Sequence, residues 1–248
     1  MPRITRNGWT LHYETAGAGS ETIVFTHGLA SSGATWSAQV EALAPHYRLV
    51  TWDLRAHGTS DSPDEPCTLA TLAADLAAVV DGSAGGPVHA VGHSAGGVIT
   101  MRFGIDYPAL TRSLILVGTA SECNARAFAY YESLAATGET DGGAALVRRL
   151  GTRDETDTPP EGHGFARMAR AMGDLHHAPL STALESVRCP TLVIVGEKDF
   201  LGVGGSVIIS RRITGARLEI VPERGHPIFR EDPAGFNRRL LEFLRERG

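Results

Sequence analysis

The chain has few cysteines and no long apolar segment, and each absence excludes a class of protein. Its 248 residues include only Cys67, Cys123 and Cys189, an odd number at wide spacing that does not suit a disulfide framework. Unpaired thiols are typical of a reducing compartment, so we expect a cytoplasmic protein. No apolar run approaches the roughly 20 residues that cross a bilayer. The first 30 residues contain no apolar stretch preceded by basic residues, so we expect neither membrane insertion nor a signal peptide.

Three kinds of bound partner also lack their sequence signatures. The net charge is −5 and the 23 lysines and arginines form no basic stripe, which argues against binding of nucleic acid. The ten histidines include no pair with metal-ligand spacing such as H-E-x-x-H. Neither G-x-G-x-x-G nor G-x-x-x-x-G-K-S/T occurs, so we predict no metal and no nucleotide cofactor.

What is present is the pattern of one large α/β domain. Hydrophobic residues make up 42% of the chain and charged residues 21%, as in ordinary globular proteins. Six short apolar runs predict strands that are covered on both faces. The six runs are Thr22–Thr26, Arg48–Trp52, Val88–Val91, Ser113–Val117, Thr191–Val195 and Arg217–Val221.

Helical patterns alternate with these strands. Apolar residues fall on one face after the cap-like Thr68, and Gly82 ends that helix. Asp232 and Pro233 are typical of the first positions of a further helix. At the start of the chain, Asn7-Gly8 between two β-rich runs predicts an antiparallel hairpin. The sequence therefore predicts an α/β fold: a mostly parallel sheet that begins with an antiparallel hairpin and has helices on both faces.

Residues 120–187 contain no run that reads as a buried strand. A structureless loop of that length is improbable in a compact domain. Apolar residues at helical spacing, including Phe128, Tyr131 and Met168, predict a small helical insertion with a turn-rich centre between Thr137 and Gly164. The expected division is a core of residues 1–119 and 188–248, with residues 120–187 as the helical insertion.

Ser94 lies in Gly92-His93-Ser94-Ala95-Gly96, directly after a predicted strand and at the start of a predicted helix. This strand–turn–helix setting projects a serine hydroxyl above the sheet, and small residues at positions 92 and 96 let the neighbouring chain segments approach. The Ala95 N–H then points, at the positive end of a helix dipole, to where an oxyanion would develop. We predict that Ser94 is a nucleophile. A second backbone donor is expected at Leu29, after His27-Gly28 at the end of another strand.

An acid and a base follow two later strands. Asp199 lies just past the strand Thr191–Val195, and His226 follows the strand Arg217–Val221. Both positions fall at the carboxyl end of the sheet, where open α/β folds place their sites. The acid would fix the histidine tautomer and the histidine would act as general base. Glu197 and Glu122 are rival acids on neighbouring loops.

These motifs, in the order Ser94, Asp199, His226, resemble the α/β-hydrolase superfamily, together with the segment Trp52–Ser60. Within it the chain is similar to the group of oxoadipate enol-lactone hydrolases, esterases and cofactor-free haloperoxidases. The resemblance implies a helical cap over the active site, formed by the insertion, and no cofactor. A serine at position 94 sets the chain apart from relatives that use aspartate there.

The predicted activity is hydrolysis of a carboxylic ester or lactone of a small to medium organic molecule through an acyl-enzyme. The same three residues would also serve a C–C hydrolase, a thioesterase or an acyl transferase, and a ligand-binding receptor is a further alternative. Nothing in the sequence distinguishes a monomer from a homo-oligomer. Aromatic residues predicted to line an apolar substrate pocket are Trp36, Phe128, Tyr131, Phe200 and Phe229, with Leu29, Leu201, Ile228 and Met168 as further candidates. Arg126, Arg167 and Arg170 would meet an acidic substrate.

Overall fold

The computed structural model describes residues 2–151 and 159–246. Eight strands form one sheet, and eight α-helices surround it in the described part of the chain. The strands are β1 (Arg3–Arg6), β2 (Trp9–Ala16), β3 (Thr22–Thr26), β4 (Arg48–Trp52), β5 (Val88–His93), β6 (Thr111–Val117), β7 (Thr191–Gly196) and β8 (Arg217–Val221). The helices are α1 (Ser37–Leu43), α2 (Leu69–Ser83), α3 (Ala95–Asp106), α4 (Ala125–Leu150), α5 (Gly162–Gly173), α6 (Gly204–Arg212), α7 (Ile228–Glu231) and α8 (Pro233–Arg245).

The sheet has the order β1-β2-β4-β3-β5-β6-β7-β8. The hairpin predicted at Asn7-Gly8 is confirmed: both residues have positive φ, 45° and 87°, as the mirror-image turn of a tight hairpin requires. β2 pairs antiparallel with β4, and every pair from β4 to β8 is parallel. The carboxyl ends of the central strands therefore meet at one edge of the sheet.

Two hydrophobic clusters, one on each face, cover the sheet. One joins alternate residues of the strands to α2 and α3, and the other joins the intervening residues to α1 and α8. Helices on both faces are thus confirmed. The predicted starts of two helices are also confirmed, because the Thr68 hydroxyl accepts from the Thr71 N–H at the start of α2 and the Asp232 carboxylate caps α8. Capping of this kind contributes about 1 kcal/mol to a helix. The predicted end of α2 at Gly82 is wrong by a residue, since the helix continues through Gly82 to Ser83.

β8 differs from the prediction of a strand covered on both faces. It lies at the edge of the sheet, only Val221 is buried, and Ile220 is exposed. The run Arg217-Leu-Glu-Ile-Val alternates more than the other five runs, which is typical of a strand with one solvated face.

The insertion contains α4 and α5, followed by two short 3-10 helices, Asp174–His176 and Ala183–Ser186. The prediction of a turn-rich centre beginning at Thr137 is wrong up to residue 150. Helix α4 continues through that part of the chain, with a kink at Gly142, whose φ is 75°. Residues 152–158 of that predicted centre lie outside the described part. Met168, Leu180 and Leu184 of the insertion join the cluster under α2 and α3, so the insertion shares a core with the sheet.

Within the described residues, no helix is both long enough and apolar enough to span a bilayer.

Candidate active site

Ser94 lies in the turn between β5 and α3 with a strained backbone. Its φ of 55° and ψ of −121° lie in a region that residues with a side chain rarely adopt, at a cost of roughly 1–3 kcal/mol. The strand and helix meet so closely that a Cβ at Gly92 would collide with the Gly96 carbonyl, and one at Gly96 with the carbonyls of Thr26 and His27. Small residues at both positions are therefore a steric requirement of the turn.

Two hydrogen bonds from the β6 end hold this turn in place. The Ser94 N–H donates to the Val117 carbonyl at 2.9 Å, and the Thr119 hydroxyl donates to the Ser94 carbonyl at 2.8 Å. Both backbone polar groups of Ser94 are thereby satisfied inside the protein, which offsets part of the strain. The side chain is left to face the cavity described below.

Asp199 and His226 are joined by a short hydrogen bond. Nδ1 of His226 lies 2.8 Å from Oδ2 of Asp199, and the Asp199 side chain is only 1% exposed. The second oxygen, Oδ1, accepts from the Leu201 N–H at 2.9 Å. A carboxylate fixed in this way requires Nδ1 of His226 to carry the proton, so Nε2 is free to accept one. Gly118 lies against the pair, since a Cβ there would be 2.9 Å from Oδ2.

His93 supports the segment that carries His226. Its ring centroid lies 4.5 Å from that of His226 and 4.9 Å from that of Phe229, and its Nε2 donates to the His226 carbonyl at 3.2 Å. Burial, with a smaller effect of His226, holds the pKa of His93 well below its usual range. The ring is therefore neutral at physiological pH and acts as a hydrogen-bond donor without charge. The motif around Ser94 did not predict this role for the histidine.

The loop after β3 lies against the Ser94 turn, since a Cβ at Gly28 would be 3.1 Å from Cβ of Ser94. Neither the Leu29 N–H nor the Ala95 N–H has an acceptor in the described part of the chain, and Ala95 begins α3, where N–H groups lack helical partners. The Ala30 N–H instead donates to Nε2 of His57 at 3.0 Å, and Ala30 has a φ of 54°.

His57 is a structural residue of this loop that sequence reasoning missed. Its Nδ1 donates to the Arg55 carbonyl at 2.9 Å, which leaves Nε2 as an acceptor for the Ala30 N–H. Burial lowers the pKa of His57 to about 3, with a further contribution from His27. The sequence signal that could have identified His57 was its place in Trp52–Ser60. That segment contributed to the resemblance to the α/β-hydrolase superfamily, but no role was predicted for its residues.

A cavity of about 620 Å³ opens at this edge of the sheet, a size typical of small-molecule sites. Ser94 and His226 both line it. Its other described lining residues are Gly28, Leu29, Ser31, Thr35, His93, Tyr130, Tyr131, Leu134, Leu150, Gly151, Lys198, Phe200, Leu201, Pro227, Phe229, Arg230 and Glu231. The strand ends thus bring the serine and the histidine together with residues of α4 from the insertion.

Four of the predicted pocket residues do not line this cavity. Trp36 is fully buried and its ring stacks on Phe229 at 4.1 Å, so it packs beneath the site. Phe128 packs against His176 and His177. Met168 and Ile228 are also buried in the core. Tyr131, Phe200, Phe229, Leu29 and Leu201 do line the cavity.

The other charged candidates do not line the cavity. The Glu197 carboxylate accepts from the Glu223 N–H at 3.1 Å, and that of Glu122 accepts from the Ser181 hydroxyl. Arg170 forms a two-point ion pair with Glu139, at 2.6 and 3.0 Å. Arg167 binds the Pro63 carbonyl at 3.0 Å and lies 3.4 Å from an Asp64 carboxylate oxygen, and Arg126 is exposed. None of these five is among the described residues that line the cavity.

Comparison with known proteins places the chain in a family. The chain is 29% identical to the "Putative carbamate hydrolase RutD" of Variovorax paradoxus, over 94% of this chain and 96% of the relative. A hydrolase from Pseudomonas aeruginosa PA01 superposes with a TM-score of 0.86 at 25% identity, covering 97% of this chain and 96% of that one. The enol-lactonase of Burkholderia xenovorans LB400 has the same fold, with a TM-score of 0.88 at 23% identity over 98% and 100% of the two chains. A model of the alpha/beta hydrolase family matches residues 23–239. This chain therefore belongs to the alpha/beta hydrolase family, as a hydrolase of that fold.

Proposed function

We propose that the protein hydrolyses a carboxylic ester or lactone of a small to medium organic molecule through an acyl-enzyme. Ser94 is the nucleophile, His226 the general base and Asp199 the orienting acid. The observation that carries the proposal is the 2.8 Å contact between Asp199 Oδ2 and His226 Nδ1, beside a cavity lined by both His226 and Ser94. An imidazole oriented by a buried carboxylate, next to a serine on a strained turn, can activate a hydroxyl.

In the first step, Ser94 Oγ attacks the carbonyl carbon and its proton passes to Nε2 of His226. The carbonyl π electrons move to the oxygen, and the N–H groups of Leu29 and Ala95 stabilise the resulting oxyanion. The position of Ala95 at the start of α3 adds the positive end of the helix dipole. Asp199 stabilises the imidazolium that His226 becomes.

In the second step, the oxyanion collapses and the bond to the leaving oxygen breaks. His226 Nε2 donates its proton to that oxygen, which departs as the alcohol, and the acyl group remains on Ser94. Water then gives a proton to His226, attacks the ester carbon, and releases the acid by the same sequence. The helical insertion, residues 120–187, is the cap in this proposal, because Tyr130 and Tyr131 of α4 form one wall of the cavity.

Replacement of Ser94 tests the nucleophile. Ser94→Ala is expected to lower kcat for p-nitrophenyl acetate by at least 1,000-fold with little change in thermal stability, since effects of this size follow loss of such a nucleophile. A fluorophosphonate probe should add one label to the wild-type protein, detected by intact mass, and none to Ser94→Ala. Ester turnover by Ser94→Ala at the wild-type rate would overturn the proposal.

A carbamate is a second candidate substrate, because a curated relative at 29% identity carries that name. Carbamates react by the same attack on a carbonyl carbon, so the proposed residues keep their roles. A panel of matched p-nitrophenyl esters, carbamates, acyl thioesters and lactones ranks the classes by kcat/KM. Turnover confined to carbamates or to thioesters would replace the ester assignment while leaving the roles of Ser94 and His226 intact.

A further inference from the structure

Exposed apolar side chains concentrate at the mouth of the cavity. Among the described residues, four large apolar side chains are exposed: Phe200 at 70%, Leu201 at 45%, Ile220 at 44% and Tyr130 at 38%. Phe200, Leu201 and Tyr130 line the cavity that contains Ser94 and His226, whereas Ile220 lies on the edge strand β8. We call these three residues the apolar rim. Contiguous exposed apolar surface beside a cleft is typical of a ligand-binding site.

The apolar rim is held in a fixed relation to the reacting groups. The Phe200 ring centroid lies 4.6 Å from that of His226, in an edge-to-face arrangement. The Leu201 N–H donates to Asp199 Oδ1 at 2.9 Å, so the backbone that carries Phe200 and Leu201 is anchored to the carboxylate. Phe200 therefore adjoins the imidazole of His226.

This location identifies the part of a substrate that the rim would meet. His226 must protonate the leaving oxygen during acylation, so the alcohol part of an ester lies on the His226 side of the site. Three charged residues of the described part of the chain line the cavity. Lys198 is paired with Glu223, Glu231 accepts from the Gly225 N–H at 2.7 Å, and Arg230 also has an interaction partner. Because all three charges are already engaged, Phe200 and Leu201 are the groups left to contact the leaving group beside His226.

We infer that the enzyme prefers esters of apolar alcohols, whose hydrocarbon part lies on Phe200 and Leu201 beside His226. The inference rests on the proposed function and adds to it a leaving-group subsite. Contact with the rim removes apolar surface from water, and the gain grows with the length of the alcohol. This preference concerns the alcohol part of the ester. The acyl part shares only the reacting carbonyl carbon with it.

A series of acetates with one acyl group and different alcohols isolates this subsite. Methyl, butyl, hexyl and octyl acetate all form the same acetyl-enzyme, so deacylation is common to them, and only acylation depends on the alcohol. Hydrolysis is followed by titration of released acid at constant pH. For the wild-type protein, kcat/KM should rise with alcohol length, and Phe200→Ala should lower it roughly tenfold for hexyl acetate, with little change for methyl acetate.

Ile220→Ala is the matched control, because it removes an exposed apolar side chain of β8 away from the rim. It should leave kcat/KM unchanged for every acetate. An equal loss for all acetates in Phe200→Ala would overturn the inference, since it would mean that Phe200 only supports the His226 ring. A flat wild-type series would overturn the inference while leaving the proposed function standing. Absence of turnover of every acetate would overturn the ester assignment and this inference together.

Discussion

His93 precedes Ser94 in the chain and contacts the segment that carries His226. Its Nε2 donates to the His226 carbonyl at 3.2 Å and its ring lies against the His226 ring, so we propose that it is a positioning residue. His93→Phe keeps a planar ring and removes the donor. Loss of one such hydrogen bond is worth about 1 kcal/mol, so we expect kcat to fall roughly fivefold, with KM nearly unchanged. Steady-state kinetics on one short-chain ester measure both constants.

His93→Gln is the conservative control, because its amide nitrogen can occupy the place of Nε2 and donate to the same carbonyl. It should recover most of the kcat that His93→Phe loses. If His93 had a purely structural role, both variants would lose kcat equally, and the loss of kcat would parallel the loss of thermal stability. If kcat of His93→Phe matches the wild-type value, the positioning role is wrong.

Single residues differ in how much of their role the sequence reveals. Asp199 and His226 were predictable as a pair, because each follows a strand of a parallel sheet and such strand ends meet at one edge. The aromatic residues were harder to assign. In the sequence, Trp36 and Phe128 look the same as Phe200 and Tyr131, because all four are aromatic residues on segments expected near the site. In the structure, however, Trp36 stacks on Phe229 beneath the site, and Phe128 packs against His176 and His177. The face that an aromatic side chain presents depends on long-range packing, which spacing does not encode.

The turn between β5 and α3 depends on the absence of a side chain at Gly96. A Cβ there would collide with backbone carbonyl oxygens of Thr26 and His27, which cannot move without displacing β3. Gly96→Ala should lower the free energy of unfolding by about 3 kcal/mol, the upper range for overpacking. Gly86→Ala is the matched control, because a Cβ at Gly86 meets nothing within 4 Å. Urea unfolding of both variants measures the difference, and equal stabilities would contradict the steric argument.

At the scale of elements, prediction succeeded where local chemistry and burial agree. The strands β3, β4 and β7 are apolar on both faces, and α2 and α8 carry capping residues at their first turns. Prediction failed in the insertion, where a polar composition was interpreted as a series of turns. α4 passes through Thr137 to Leu150 with a kink at Gly142, because Leu134 and Leu146 pack against α5 in a small cluster of their own. Tertiary packing of that kind overrides weak helix propensity.

The stability of the whole molecule depends on histidines that are buried without charge. Burial lowers the pKa of His57 to about 3 and, with His226, holds that of His93 well below its usual range. In the unfolded chain both imidazoles bind a proton below about pH 6.5, so the unfolded state binds more protons below that pH. Burial raises the pKa of Asp75 to about 6 despite Arg55 and Arg6. Between about pH 4 and 6 this carboxyl binds a proton in the folded state but not in the unfolded state, which cancels the proton that one of the two histidines takes up on unfolding.

The free energy of unfolding is therefore expected to fall as the pH is lowered from 6 to 5, by about 1.4 kcal/mol for each net proton taken up on unfolding. His57→Asn removes one of these protons, so its slope against pH should be smaller than that of the wild-type protein by about 1.4 kcal/mol per pH unit. Urea unfolding at several pH values measures both slopes. His46→Asn, at an exposed position, controls for the change in histidine content. Equal slopes in the wild-type protein and His57→Asn would mean that His57 is protonated in the folded state, and the Ala30 N–H would then have no acceptor there.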